Sequence, residues 1–319
     1  MDYYKDLTPV EEIGELYWKR EDKFAPLGYG SINGSKLRQC IWLTERAYNK
    51  GAKGIVSAAS IVSPQLCMTT WAAKELGLPA YQIIGATKPE TAVKAPSVAI
   101  AAMLGAKFQI TPVAYNPYLQ NQARKFNAMM PQVHIIEYGI SLDHLTNTST
   151  DIKGFHDVGA AQVANVPPSV KRLLIPTGSA NSLVSILLGV AYHQPASLQE
   201  LVLFVIGPSK VSWAWERLHV INKQYPKLLD VLKKYKITIH DLHRTKFASY
   251  GDRMVESYKD LVFHPNYEGK IIRWLNEHPD EKDRVWNYES CFWVVGSEPS
   301  VEITAKVLNR TIPETVEVL

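Results

Sequence analysis

Two stretches of this 319-residue sequence carry residue types able to do chemistry. In Gly30-Ser31-Ile32-Asn33-Gly34-Ser35-Lys36-Leu37-Arg38 a flexible polar loop delivers one lysine to the mouth of a helix. A lysine in that position is ordinarily a solvated amine. Held instead in a pocket where desolvation or a neighbouring cation lowers its pKa, it becomes a nucleophile for an aldehyde, a Schiff-base lysine. The second stretch, Pro176-Thr177-Gly178-Ser179-Ala180-Asn181-Ser182, comes directly off the apolar run Leu173-Leu174-Ile175 and enters a helix. Small residues at a strand-to-helix turn present backbone N–H groups, and the helix dipole adds partial positive charge, so such a turn either caps its helix or cradles a phosphate.

Other motifs fail on inspection. Gly28-Tyr29-Gly30 lacks the third glycine of a dinucleotide fingerprint and follows no strand, and neither a P-loop nor a Gly-x-Ser-x-Gly elbow occurs. His240 and His243 have no third ligand nearby, so no metal site is expected. Cys40, Cys67 and Cys291 lie far apart in apolar surroundings, which excludes a disulfide framework and suits a reducing compartment.

The elements that must position these residues alternate. Strands are expected at Gly54 to Ala59, Ala80 to Ile84, Lys107 to Val113, Val133 to Glu137, Arg172 to Pro176, Leu201 to Ile206 and Cys291 to Val295. Helices are expected at Pro64 to Leu76, Pro89 to Leu104, Asn116 to Met129, Ala180 to Tyr192 and Val211 to Gln224. Thr8-Pro9-Val10-Glu11 has capping-box spacing and predicts a further short helix. Short apolar strands between helices point to an α/β protein whose parallel sheets are covered on both faces. The polar stretch Asn147 to Asp151 is read as a crossing between lobes. This predicts a large domain of residues 1–39 and 146–319 and an inserted small α/β domain of residues 40–145.

Composition is that of a globular chain: 46% hydrophobic and 21% charged, with a net charge of +4. There are 18 basic and 15 acidic residues up to Gly207, and 17 and 16 beyond it. So even a balance does not favour nucleic acid or a membrane surface as partner. Trp213, Trp215 and Arg217, with the lysines that follow, are weighed as a nucleic-acid surface and read as core and solvated helix face. No apolar run approaches the ~20 residues of a membrane span, and a cytoplasmic protein is expected.

Taken in order, Trp18-Lys19-Arg20-Glu21-Asp22, Asn33 to Arg38, Val56 to Ser63, Thr177 to Asn181 and Asn266-Tyr267-Glu268-Gly269-Lys270 resemble the pyridoxal-phosphate (PLP) enzymes of fold type II, the tryptophan synthase β-like group. The likeness is strongest to aminocyclopropane-carboxylate deaminases and D-cysteine desulfhydrases. Gly154-Phe155, Val158-Gly159 and Phe247 to Gly251 extend it in register over nearly the whole chain. The resemblance implies two domains with twisted, mostly parallel sheets, PLP as cofactor and a homodimer. It implies Lys36 as the Schiff-base lysine, Gly178, Ser179, Ala180, Asn181 and Ser182 as the phosphate cradle, and Glu268 facing the pyridine nitrogen. Tyr250 and Tyr267 would stand near the substrate, with Ser63 beside its carboxylate.

Departures from the family pattern are also legible. Ser63-Pro64-Gln65 replaces Ser-Asn-His, which removes the amide that bonds the cofactor's phenolic oxygen, and Gln39 replaces a lysine. Tyr250 and Tyr267 are only 17 residues apart, which predicts a trimmed helix on the substrate side. The expected activity is a lyase or deaminase-like cleavage at Cα or Cβ of an amino acid, diverged from the standard reactions. The alternatives are a PLP enzyme, such as a decarboxylase, acting on an amino-acid group attached to a larger carrier such as a hypermodified DNA base, and a non-catalytic protein on the same fold.

Overall fold

A computed structural model describes residues 6–142, 146–247 and 252–319. Its contacts divide the chain into two compact units. The larger comprises Met1–Phe24, Gly34–Lys36 and Asp143–Ser297, and the smaller Ala25–Asn33, Leu37–Leu142 and Glu298–Leu319.

The larger unit is built on a six-stranded sheet in the spatial order Val10–Ile13, Leu16–Arg20, Ser290–Val294, Arg172–Thr177, Glu200–Val205, Lys236–Asp241. Only the first pair is antiparallel; the remaining neighbours run parallel. Every residue of Glu200–Val205 and Ser290–Val294 is buried, as expected of strands covered on both faces. Trp18 anchors one face, fully buried against Phe263 and Phe292 at ring-centroid distances of 5.5 and 5.2 Å.

The helix expected at Thr8 to Glu11 is instead the first strand, Val10–Ile13. The Thr8 hydroxyl is engaged elsewhere: it donates to Glu21 Oε1 at 2.6 Å and does not cap a helix. Gly14, at φ +67°, turns the chain into Leu16–Arg20, and a Cβ there would lie 2.0 Å from Tyr258 Oη. A strand at Lys236–Asp241 and a helix at Ser149–Ala160 complete this unit beyond the sequence expectation. Between Asp252 and Asn266 lies a short hairpin, Ser257–Tyr258 with Leu261–Val262, and no helix.

The smaller unit carries four parallel strands in the order Lys107–Thr111, Ala80–Gly85, Gly54–Ala59, Val133–Ile136. Helix Asn116–Met129 packs on it, burying Leu119, Ala123 and Phe126. The helix expected from Pro89 to Leu104 is two, Pro89–Ala92 and Pro96–Met103; Pro96 disfavours helical backbone at the residue before it, and Ala95 is extended. The tail returns to this unit, where the Phe108 amide donates to Glu317 O at 2.8 Å. Among the described residues no helix is long and apolar enough to cross a membrane.

Candidate active site

Helix Ser35–Asn49 begins at a turn that only glycine fits. Gly34 has φ +106°, and a Cβ on it would lie 2.6 Å from the Val295 carbonyl. That carbonyl accepts the Ser35 amide at 2.8 Å, fixing the first turn of the helix and with it Lys36. Lys36 is partly buried, and desolvation lowers its ammonium to about 8, where a substantial fraction of the amine is neutral near physiological pH.

Strand Arg172–Thr177 delivers Gly178 to Ala180 at its C-terminal end, the edge where open α/β sheets bind ligands. Ala180 sits in the left-handed region at φ +65°, and helix Asn181–His193 follows, its first-turn N–H groups lacking intrahelical partners. Ser182 Oγ lies 3.0 Å from Ser35 Oγ, so the turn and the start of the Lys36 helix meet. Ser179 Oγ is buried with no hydrogen-bond partner. Gly178 is covered by Tyr267: a Cβ on it would approach the tyrosine ring to 3.0 Å.

Glu268 opens helix Glu268–Glu277 and is completely buried. The Val295 amide donates to its Oε1 at 2.7 Å, while Oε2 has no partner. Burial raises the carboxyl to about 8, the Asp22 carboxylate adds to the rise, and the backbone amides of Glu268, Val295 and Gly296 oppose it. Gly269 is required next to it, because a Cβ would lie 2.0 Å from Met254 O.

Lys36, Gly178, Ser179, Ala180, Asn181, Ser182, Tyr267 and Glu268 therefore belong to one unit, joined through Ser35 and Val295. Ser63 belongs to the smaller unit, where its Oγ accepts the Gln65 amide at 3.3 Å. Tyr250 lies outside the described residues. Ser35 and Val295 escaped the sequence reading, since both act through backbone or a short hydroxyl; the one available signal was the position of Val295 at the end of an apolar strand.

The residues present fit PLP. A buried carboxylate oxygen without a partner suits a ring nitrogen, a buried serine hydroxyl and a helix N-terminus suit a phosphate, and Lys36 offers a low-pKa amine. The fold agrees with this chemistry. An aminocyclopropane-carboxylate deaminase homologue superposes with a TM-score of 0.64 at 16% identity, over 95% of this chain and 94% of that one. Apo diaminopropionate ammonia lyase from Escherichia coli gives 0.60 at 12%, over 95% and 86%. Processed threonine deaminase isoform 2 from Solanum lycopersicum gives 0.59 at 14%, over 94% and 86%. The chain is a fold type II PLP enzyme.

No family model matches the sequence. Among curated proteins it is 32% identical to the O-seryl-dTMP PLP-dependent decarboxylase of Salmonella phage ViI, over 99% of this chain and 88% of that protein. It belongs to the family of that enzyme.

Proposed function

We propose that this enzyme is a decarboxylase that removes the carboxyl group of an amino acid carried on a thymidine nucleotide. The observation that carries this reading is the 32% identity, sustained over 99% of the chain, to an enzyme named for O-seryl-dTMP. It corresponds to the sequence-based alternative of a decarboxylase acting on a larger carrier. A deaminase-like reading rests on structures no more than 16% identical to this chain, which support the fold alone.

Bound PLP supplies an electron sink for the pair left at Cα when the carboxyl group departs as carbon dioxide. Lys36 Nζ would hold the cofactor's aldehyde carbon and would be the group placed to carry a proton to Cα, burial having lowered its ammonium to about 8 in the ligand-free chain. Glu268 Oε2 would face the ring nitrogen and could share with it the proton that burial favours on the carboxyl. Ser179, Ser182 and the start of helix Asn181–His193 would hold the phosphate. Tyr267, packed over Gly178, walls the turn.

The test is incubation of purified holoenzyme with O-seryl-dTMP. The expected products are carbon dioxide and an equal amount of the aminoethyl ether of the nucleotide. Ammonia and a keto acid instead would overturn the decarboxylase reading and restore the lyase one.

A further inference from the structure

The even charge of the two sequence halves conceals an uneven distribution between the folded units. The larger unit holds 23 basic and 23 acidic residues, the smaller 12 and 8, so the whole net charge of +4 falls in the smaller. Within it, residues 37–142 carry 10 basic residues against 4 acidic.

One edge of this unit also exposes tyrosines. Tyr115, Tyr118 and Tyr138 are 69%, 37% and 44% exposed. They share the C-terminal edge of the four-stranded sheet. Tyr115 and Tyr118 open the helix after strand Lys107–Thr111, and Tyr138 follows strand Val133–Ile136.

Tyr138 is held in place by its backbone. Its amide donates to Gln120 Oε1 at 3.2 Å, and Gln120 Nε2 donates to Ala58 O at 2.6 Å. Beyond it, Ile140 takes a left-handed φ of +54°, strain kept by the Gln65 side chain, whose Oε1 accepts the amides of Gly139 and Ile140 at 2.8 and 3.3 Å. Cations flank the rings. Arg124 and Lys125 lie on the Tyr118 helix, with Arg124 Nη2 3.7 Å from the Glu137 carboxylate. Lys88 is exposed on the adjoining turn, where the Ala86 amide donates to Thr111 O and Gly85 leaves room for Ala114.

We propose that this edge binds the DNA strand on which the modified thymidine is carried. Bases of the strand stack on Tyr115, Tyr118 and Tyr138, and phosphates meet Lys88, Arg124 and Lys125. The inference rests on the nucleotide-linked reading above for its choice of partner. Charge favours DNA over a two-fold contact of this edge with its own copy, which would set basic residues against basic residues. The helix at Val211–Asn222 offers no such surface: Arg217 is fully buried, 4.7 Å from the Trp213 ring.

The test uses the full-length holoenzyme and a labelled single-stranded oligonucleotide of unmodified, thymidine-containing DNA, read by fluorescence anisotropy across a salt series. Stacking predicts that Tyr115→Ala with Tyr118→Ala weakens binding by about 10-fold or more. Counterion release predicts that Lys88→Gln, Arg124→Gln and Lys125→Gln together flatten the log–log salt dependence by about 2. Both variants should turn over free O-seryl-dTMP at the wild-type rate. Absence of wild-type binding at low salt, or affinities indifferent to both sets of substitutions, overturns the proposal. So does sedimentation in which the tyrosine variant breaks a dimer, which would assign the edge to a second copy. Because this assay needs no turnover, failure of the decarboxylase reading shows separately, as missing carbon dioxide with DNA binding intact.

Discussion

Glu268 and Val295 form a hydrogen-bonded link between the acid helix and the segment after strand Ser290–Val294 that supports the Lys36 turn. The Val295 amide donates to Glu268 Oε1 at 2.7 Å, and the Val295 carbonyl accepts the Ser35 amide at 2.8 Å. A single backbone unit thus sets the carboxylate and the lysine turn relative to each other, independently of any side chain at position 295.

Lys36 should load cofactor in a pH-dependent way. Only the neutral amine attacks an aldehyde, and burial brings this amine to about 8. The rate at which ligand-free enzyme takes up PLP, followed by absorbance, should rise about tenfold per pH unit below 8 and level off above it. Lys36→Ala should leave no borohydride-reducible link and lose at least about a thousandfold in turnover. A reducible adduct on another lysine, with activity retained, would remove Lys36 from its role.

Glu268 gives a prediction about stability. Its folded pKa of about 8 stands above the ordinary 4.5, so between those values the folded protein holds a proton that the unfolded chain has released. The stability this proton contributes is complete below 4.5 and is lost as pH rises to about 8. Ligand-free wild type should therefore lose stability relative to Glu268→Gln by as much as about 1.4 kcal/mol per pH unit across that window. Melting curves at pH values spanning it check this, and parallel Tm profiles for the two proteins would contradict it. With cofactor bound, Glu268→Gln should retain PLP and lose turnover, because a neutral amide no longer balances a protonated ring nitrogen.

How far the sequence spoke depended on which part of the residue did the work. Strands such as Gly54–Ala59 and Arg172–Thr177 were legible because burial on both faces writes a short apolar run into the side chains. The Lys36 loop and the Gly178 turn were legible through their small residues. Val295 was not, because only its backbone acts. Thr8 misled, since its capping-box spacing is a local signal, and the hydroxyl was claimed by Glu21, thirteen residues away. The charge difference between the units was not legible, because halves of a sequence are not units of a fold.

Gly178 tests the phosphate turn. A side chain there meets the Tyr267 ring at 3.0 Å from its first carbon, so Gly178→Val must displace the ring or the turn. Cofactor occupancy in this variant, measured by absorbance after gel filtration, should fall well below that of wild type. Full occupancy would show that the turn does not hold the phosphate.

Gln65 separates structure from cofactor tuning at the position where the family pattern has another residue. Its side chain is buried and spent: Nε2 donates to Ser57 Oγ at 2.9 Å and Glu137 O at 3.2 Å, while Oε1 accepts the amides of Gly139 and Ile140. Removing it takes an acceptor from two buried amides, of which that of Ile140 keeps Glu137 O at 3.1 Å, and takes a donor from Ser57 Oγ and Glu137 O, at about 1–3 kcal/mol for each buried group left short. Gln65→Ala should therefore lower the denaturation free energy by about 2–5 kcal/mol while the absorption maximum of bound PLP stays where it is. The opposite pattern, a shifted absorption band with stability unchanged, would mean that Gln65 acts on the cofactor and not on the turn.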